Sequence, residues 1–460
     1  MARAKQAASQ LAAMSQEELD TLCQAVHQGA GANAARLGKL AWEETGFGKA
    51  EDKERKNLFA ANRVYEAIRD KKYIGFLRED REKQVVEMGV PLGIIAGLVP
   101  STNPTSTVIY KAMIALKAGN PIVFSPHPSA VNCILEATRV VSLAVEGAGG
   151  PKDAVQCLEH PTMEGTSALL RHPDLKLTLA TGGAAMVRMA YSTGHPAIGV
   201  GAGNGPAYLH PSCDLRQAVE LIFASKTFDN GTICASEQSI VVAKGEEKAL
   251  VAELERQGGW ILSTEHKEKL GKYILRPNGT MNPAIVGKSA QALCKLAGLG
   301  EPPAGTRVLL VREDQVGDKY PFSSEKLAPI LALYVEENEE ACLRRCVEIL
   351  QHEGAGHSFM IHGKDRQAVL RFAAKVPASR VLVNTPGALG GIGETTNLFP
   401  ALTLGCGAAG GSSSSDNIGP QHLSEIRRVA WGVRTPEPRS AGNQDDLIDQ
   451  LVSQIMRRLS

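Results

Sequence analysis

The stretch Phe228–Ser239, FDNGTICASEQS, sets one cysteine where a nucleophile could work. Cys234 follows a turn-forming Asp229-Asn230-Gly231 and precedes a small polar run, after which Ser239–Val242 reads as a strand. A thiolate at the mouth of such a loop can attack an electrophilic carbonyl, with nearby backbone N–H groups meeting the oxyanion that develops. Taken alone, an unpaired cysteine is more often a buried structural group, so the case for chemistry depends on its companions. Asn103 is the first: it lies in PSTNPTST (100–107), between the apolar run Ile94–Val99 and a helix. Its amide could donate to a carbonyl oxygen, although Asn-Pro by itself reads as a turn. Thr181-Gly182-Gly183, between a strand and a helix, would let the backbone approach a phosphate or ribose closely. The segment 194–206, GHPAIGVGAGNGP, is dense in glycine and holds no carboxylate.

The elements that must position these residues follow from periodicity. Residues 1–75 read as helices, with Leu19, Leu22 and Val26 at helical spacing and Ser15 with Glu18 forming a capping box. Gln84–Val90 reads as β, and Ile94–Val99 as a buried parallel strand followed by a helix over Val108–Ala118. Two further units follow: strand Pro121–Phe124 with helix Ala130–Val145, and strand Leu175–Leu179 with helix Ala184–Tyr191. Such alternation predicts a parallel α/β sheet that binds ligands in the loops after its strands. Residues 194–206 are expected to form a loop or hinge with no element of their own. A second α/β unit starts near 210, with strands at Ser239–Val242, Arg307–Val311, Ile330–Val335, Ser358–Ile361 and Arg380–Asn384. The Gly/Ser-rich 385–420 is expected to be an ordered loop near a site, since it carries Phe399 and Leu402. Val429–Val433 reads as a short strand and 435–443 as a linker. In Gln444–Ser460, the residues Leu447, Ile448, Leu451, Val452, Ile455, Met456 and Leu459 make an apolar helical stripe. Behind a linker, such a helix is better suited to a groove on another protein than to its own domain.

Composition bounds the class. A chain of 460 residues implies two or three domains, and a net charge of +1 gives no support for a nucleic-acid partner. The nine cysteines include no CxxC pair, which argues for a reducing compartment and against disulfides or structural zinc. Cys342 and Cys346 read as core filling. With no signal peptide and no apolar run of about 18 residues, the expectation is a soluble cytoplasmic protein with no membrane contact.

The runs VPSTNPTSTVIYKAMIALKAGNPIVFSPHPSA (99–130), FDNGTICASEQSIVV (228–242), PFSSEKLAPIL (321–331) and LTLGCGAAGGSSSSDNIGP (402–420) resemble the CoA-acylating aldehyde dehydrogenases. These include the propionaldehyde and acetaldehyde dehydrogenases of bacterial microcompartments and the N-terminal half of bifunctional aldehyde–alcohol dehydrogenases. The resemblance covers about residues 1–435, and the chain's length suits the form without an alcohol dehydrogenase half. It implies an α/β fold of this family: a Rossmann-type NAD-binding domain over 1–209, with an oligomerisation β segment near 76–92, and a catalytic domain over 210–395. A return segment with an oligomerisation strand (396–434), a linker (435–443) and a targeting helix (444–460) complete it.

The same resemblance implies roles. Cys234 matches the nucleophile, which forms a thiohemiacetal and then a thioester, and Asn103 matches the amide of the oxyanion hole. Glu325 matches the glutamate that binds the nicotinamide ribose, with Thr181, Gly182 and Gly183 at the cofactor turn. Ser125 and His127 stand where hydrolytic relatives have a lysine on the adenosine ribose, which leaves NAD versus NADP open. Hydrolytic relatives also carry a glutamate that activates water in the glycine-rich segment; here Ile198–Pro206 has no acid. An acyl-enzyme without a base aimed at water should last until a thiol arrives, and coenzyme A supplies thiolate unaided near neutral pH. The expected partners are therefore a short-chain aldehyde (propionaldehyde or acetaldehyde), NAD, coenzyme A, a second copy in a homodimer or homotetramer, and microcompartment shell proteins. The rival readings are a hydrolytic enzyme releasing the free acid and a catalytically silent scaffold or cargo protein.

Overall fold

Ser15 closes the second helix by the expected box: its hydroxyl accepts from Glu18 N–H (3.2 Å) while Glu18 accepts from Ser15 N–H (2.7 Å). The structure, a computed structural model, describes residues 1–436 and 444–459. Helices occupy Ala2–Ala12, Gln16–Ala32, Ala34–Thr45 and Ala50–Leu58, the last running through a π-helical turn, Phe59–Arg63, into Val64–Ile68. Strands β1 (Gly75–Asp80) and β2 (Val85–Pro91) then form an antiparallel hairpin.

Strands β3 (Ile94–Val99), β4 (Ile122–Pro126), β5 (Val155–Cys157), β6 (Leu175–Thr181) and β7 (Ala197–Val200) make a parallel sheet in the order β5-β4-β3-β6-β7. The chain builds outward from β3 to β5 and then returns to build β6 and β7 on the other side. The loops after β3 and β6 therefore diverge, and a crevice opens at the carboxyl ends of the strands. β3 is buried along its whole length, as is the helix Pro104–Lys117 that follows it. That helix starts ahead of the expected Val108, because Pro104 suits a first turn that needs no N–H. The 194–206 segment is not all loop, since β7 lies within it. Gly199 conceals that strand: a Cβ there would come within 2.5 Å of Val187, so only glycine lets the helix Ala184–Tyr191 lie on the sheet.

The second sheet contains β8 (Pro206–Leu209), β9 (Ser239–Ala243), β10 (Gly259–Ile261), β11 (Val308–Arg312), β12 (Ile330–Glu336), β13 (Gly356–His362) and β14 (Ala378–Val383). All pairs are parallel, in the order β10-β11-β12-β9-β8-β13-β14. Residues leading into β8, β9, β12 and β13 must therefore share one edge, the edge that the chain reaches from the end of β7. Cys342 and Cys346 are buried in this unit's core.

The last strand, β15, spans Ser424–Ala430, earlier than the expected Val429–Val433, and pairs antiparallel with β2 from Ser424↔Pro91 to Ala430↔Val85. Its residues SEIRRVA are mostly exposed and carry no apolar alternation to announce a strand. Segment 385–420 is ordered: Leu404, Cys406 and Ile418 are buried, and Phe399 and Leu402 pack against the core that Cys234 also borders. The last helix, Gln444–Leu459, leaves all seven side chains of its apolar stripe more than half exposed. Of the linker expected at 435–443, residues 437–443 lie outside the described residues, as does Ser460. No helix among the described residues is long and apolar enough to cross a membrane.

Candidate active site

From Phe228 to Val242 every residue is buried except Cys234. The loop's shape comes from three successive left-handed residues, Asp229 (φ 47°), Asn230 (φ 50°) and Gly231 (φ 80°). Asn and Asp tolerate that region best among residues with a Cβ. The glycine-rich crossing from β7 to β8 packs directly on this loop: a Cβ on Gly203 would lie 1.8 Å from the Cys234 carbonyl oxygen. Gly203 N–H donates to Glu325 Oε1 (2.9 Å), so the crossing holds the Cys234 backbone on one side and the Glu325 carboxyl on the other. Burial pushes the Cys234 thiol up to about 12; Glu325 and Cys406 add to the rise, and the Arg380 guanidinium opposes it. The resting group is a neutral thiol. Burial, reinforced by Glu353, likewise pushes Glu325 up to about 8.

Asn103 comes to the same loop from the other sheet. Its side-chain nitrogen faces Thr232 O (3.5 Å), two residues before Cys234, and its oxygen accepts from Lys56 Nζ (2.6 Å). Thr181 ends β6 with its hydroxyl against Thr403 (3.4 Å) on the ordered 385–420 segment. Around Gly183, at the N-terminus of the helix Ala184–Tyr191, the space where a Cβ would stand is open. Backbone N–H groups at a helix start beside the sheet's crevice suit a dinucleotide phosphate. Ser125 is turned away from this role, since its buried hydroxyl shares a hydrogen bond with Thr166 (2.8 Å). His127 is exposed past β4, with Nδ1 accepting from Ser129 N–H (3.1 Å). Asn103, Glu325 and Cys234 thus converge, while Thr181, Gly182, Gly183, Ser125 and His127 line the ends of β4 and β6.

Several buried polar groups in this region escaped the sequence. Lys53 and Lys56 lie in AEDKERKNL, a stretch so charged that it reads as a solvated helix face, yet both are 2% exposed. Arg380 Nη2 donates to Gly405 O (2.7 Å), tying β14 to the 385–420 segment. His357, at the start of β13, is pushed down to about 3 by burial and the Arg380 charge; its Nδ1 faces Ser358 Oγ (3.0 Å), and Nε2 has no partner among the described residues. Nothing in one sequence separates these from ordinary core and surface positions, because the contacts come from distant elements.

Comparison with known proteins gives the family. A family model described as the aldehyde dehydrogenase family matches residues 1–269. The succinate-semialdehyde dehydrogenase (acetylating) of Clostridium kluyveri is 33% identical over 430 residues, covering 93% of this chain and 94% of the relative. The chain belongs to the aldehyde dehydrogenase family. The bifunctional aldehyde-alcohol dehydrogenase of Escherichia coli K12 is 42% identical over 433 residues, 93% of this chain and 48% of the relative; the chain thus spans about half that protein's length. Among solved structures, a probable aldehyde dehydrogenase from Listeria monocytogenes is 57% identical with a TM-score of 0.93, covering 95% and 96% of the two chains. A propionaldehyde dehydrogenase from the Clostridium phytofermentans fucose utilisation microcompartment is 25% identical (TM-score 0.84, 95% and 97%). A Rhodopseudomonas palustris propionaldehyde dehydrogenase, solved with bound CoA and an acylated cysteine, is 25% identical (TM-score 0.83, 94% and 95%).

In this member of the aldehyde dehydrogenase family, the carboxyl on the glycine-rich crossing comes from Glu325, some 120 residues away in sequence, rather than from the segment itself. Its charge can be read through the thiol. Glu325→Gln should speed alkylation of Cys234 by iodoacetamide at about pH 9 by roughly 3- to 10-fold, as up to one unit of thiol pKa allows. Mass spectrometry of the Cys234 peptide measures this. An unchanged rate would place the Glu325 charge out of reach of the sulfur.

Proposed function

We propose that the chain is a CoA-acylating aldehyde dehydrogenase, converting a short-chain aldehyde, NAD⁺ and coenzyme A to acyl-CoA and NADH. The observation that carries this reading is Cys234, the one half-buried residue of a buried loop that packs between the Asn103 amide and the Gly203 backbone. Cys234 adds through sulfur to the aldehyde, losing its proton to solvent, and Asn103 Nδ2 with nearby backbone N–H groups holds the resulting oxyanion. NAD⁺, which the Gly182–Gly183 turn would hold, would supply the acceptor for the hydride. What remains on Cys234 is a thioester, and attack by the thiolate of coenzyme A releases acyl-CoA and restores the cysteine. The five-stranded sheet is read as the cofactor unit and the seven-stranded sheet as the unit bearing the nucleophile. Acetylating and CoA-bound relatives support transfer of the acyl group to coenzyme A.

The hydrolytic alternative draws on Glu325, which reaches the crossing where the sequence shows no acid. At neutral pH a carboxyl pushed up to about 8 is mostly protonated, and a protonated carboxyl cannot take a proton from water. NADH formation from propanal with and without coenzyme A separates the readings. CoA-dependent turnover is the expected result; equal turnover without it would show hydrolysis, and none would leave the silent scaffold.

The exposed stripe of Gln444–Leu459 is read as a docking helix for microcompartment shell proteins, in keeping with the microcompartment relative. Pairing of the three-stranded sheet β1-β2-β15 between copies, with Phe76, Val429 and Trp431 exposed beside it, would build the dimer or tetramer. Full-length protein carrying Leu451→Asp and Ile455→Asp should keep wild-type kcat and oligomeric mass but stay outside microcompartments in cells that make them. Loss of activity or assembly would instead make the helix part of the enzyme's own packing.

A further inference from the structure

Asp229 is fully buried and saturated with donors. Its Oδ1 accepts from Lys49 N–H (2.8 Å), and its Oδ2 from Lys53 Nζ (3.0 Å), Thr232 Oγ1 (2.6 Å) and Lys56 Nζ. Two buried ammonium groups thus share one buried carboxylate, while Asp52 accepts from the Asp229 N–H (2.7 Å) and pairs with Lys49 Nζ (3.8 Å). Burying charge is costly unless it is paired and hydrogen-bonded. Lys56 spends its remaining donors on Thr232 Oγ1 (3.0 Å) and on Asn103 Oδ1 (2.6 Å). Asn103 is the N-cap of the helix Pro104–Lys117, a position that asparagine fills by capping, yet its side chain makes no capping bond. Lys56 takes that side chain away from its ordinary local role. An ammonium group has no acceptor, so the atom facing Lys56 must be the amide oxygen, and the NH₂ group must face the Cys234 loop. Lys56 also stands three residues before the π-helical turn Phe59–Arg63, a kind of irregularity that often accompanies function.

We propose that Lys56 is the positioning residue of the oxyanion hole: it fixes which face of the Asn103 amide points at Cys234 and polarises that amide with a buried positive charge. The proposal rests on the oxyanion reading of Asn103. Burial lowers the Lys56 ammonium, with Asp229 opposing and Lys53 reinforcing the shift, to about 8, which leaves it charged at neutral pH. The positive charge is then already in place when the thiohemiacetal oxyanion forms, as preorganised stabilisation requires.

The test is a double-mutant cycle on the full chain, read with propanal, NAD⁺ and coenzyme A. Lys56→Met removes the charge but leaves Asp229 paired with Lys53, so the carboxylate is not stranded; Lys56→Gln serves equally if the methionine variant does not fold. The expected result is a kcat lowered about 10- to 100-fold, the range for residues that orient a catalytic group, with KM for NAD⁺ and coenzyme A within about twofold of wild type. Combined with Asn103→Ala, the change should cost nothing further, since Lys56 acts through that amide. Wild-type kcat in the lysine variants beside an impaired Asn103→Ala would overturn the role of Lys56 alone. Effects that multiply would also overturn it, by showing that Lys56 acts without Asn103. Wild-type kcat in Asn103→Ala is a different failure, that of the oxyanion reading itself.

Discussion

Cys234→Ala is expected to abolish turnover in both directions, lowering kcat by at least about 10⁴-fold. In the proposed reaction, aldehyde oxidation and acyl-CoA reduction both pass through the same thioester, so neither would survive without the sulfur. Cys234→Ser should be nearly as inactive. A serine hydroxyl is a weak nucleophile without a paired base, and a pocket that pushes a thiol up to about 12 disfavours an alkoxide still more. NADH formation and its reversal with propionyl-CoA are the two measurements. Cofactor binding should persist, because the Gly182–Gly183 turn belongs to the other sheet. Either variant keeping most of its activity would remove Cys234 from the mechanism.

Asn103→Ala should lower kcat by roughly 10²- to 10³-fold, the usual loss for one oxyanion donor and equivalent to about 3–4 kcal/mol of transition-state stabilisation. NAD⁺ affinity should hardly change, since in the proposed mechanism the amide addresses the reacting oxygen. The fold should survive: Lys56 keeps Asp229 and Thr232 as partners when the amide oxygen is gone. Asn103→Asp sharpens the comparison. It preserves the shape and offers Lys56 a carboxylate, yet an ionised carboxylate cannot donate, so kcat should fall as far as in the alanine variant while thermal stability holds. Normal kcat with weakened cofactor binding would move Asn103 out of the oxyanion hole.

How much of the site was legible depends on whether a residue's neighbours are close in sequence. The Ser15 box, the strand Ser239–Ala243 and the buried run Ile94–Val99 obey local rules and appear where periodicity places them. β7 and β15 do not. Gly199 earns its place from Val187 across a helix–strand contact, and β15 is an exposed polar strand whose pairing with β2 spans most of the chain.

The sequence by itself determined the alternation of strands and helices, the family, the cysteine, the asparagine and the lack of any acid in Ile198–Pro206, because all of these are residue types in local order. Only the tertiary structure decided what surrounds them. It closes the glycine-rich crossing on the Cys234 carbonyl, brings Glu325 onto that crossing, and buries Lys53 and Lys56 from a helix that looks solvated. The physical reason is that charge and burial are set by whatever packs across from a residue. In a fold whose parallel strands gather distant loops at one edge, those partners lie on other elements, far along the chain.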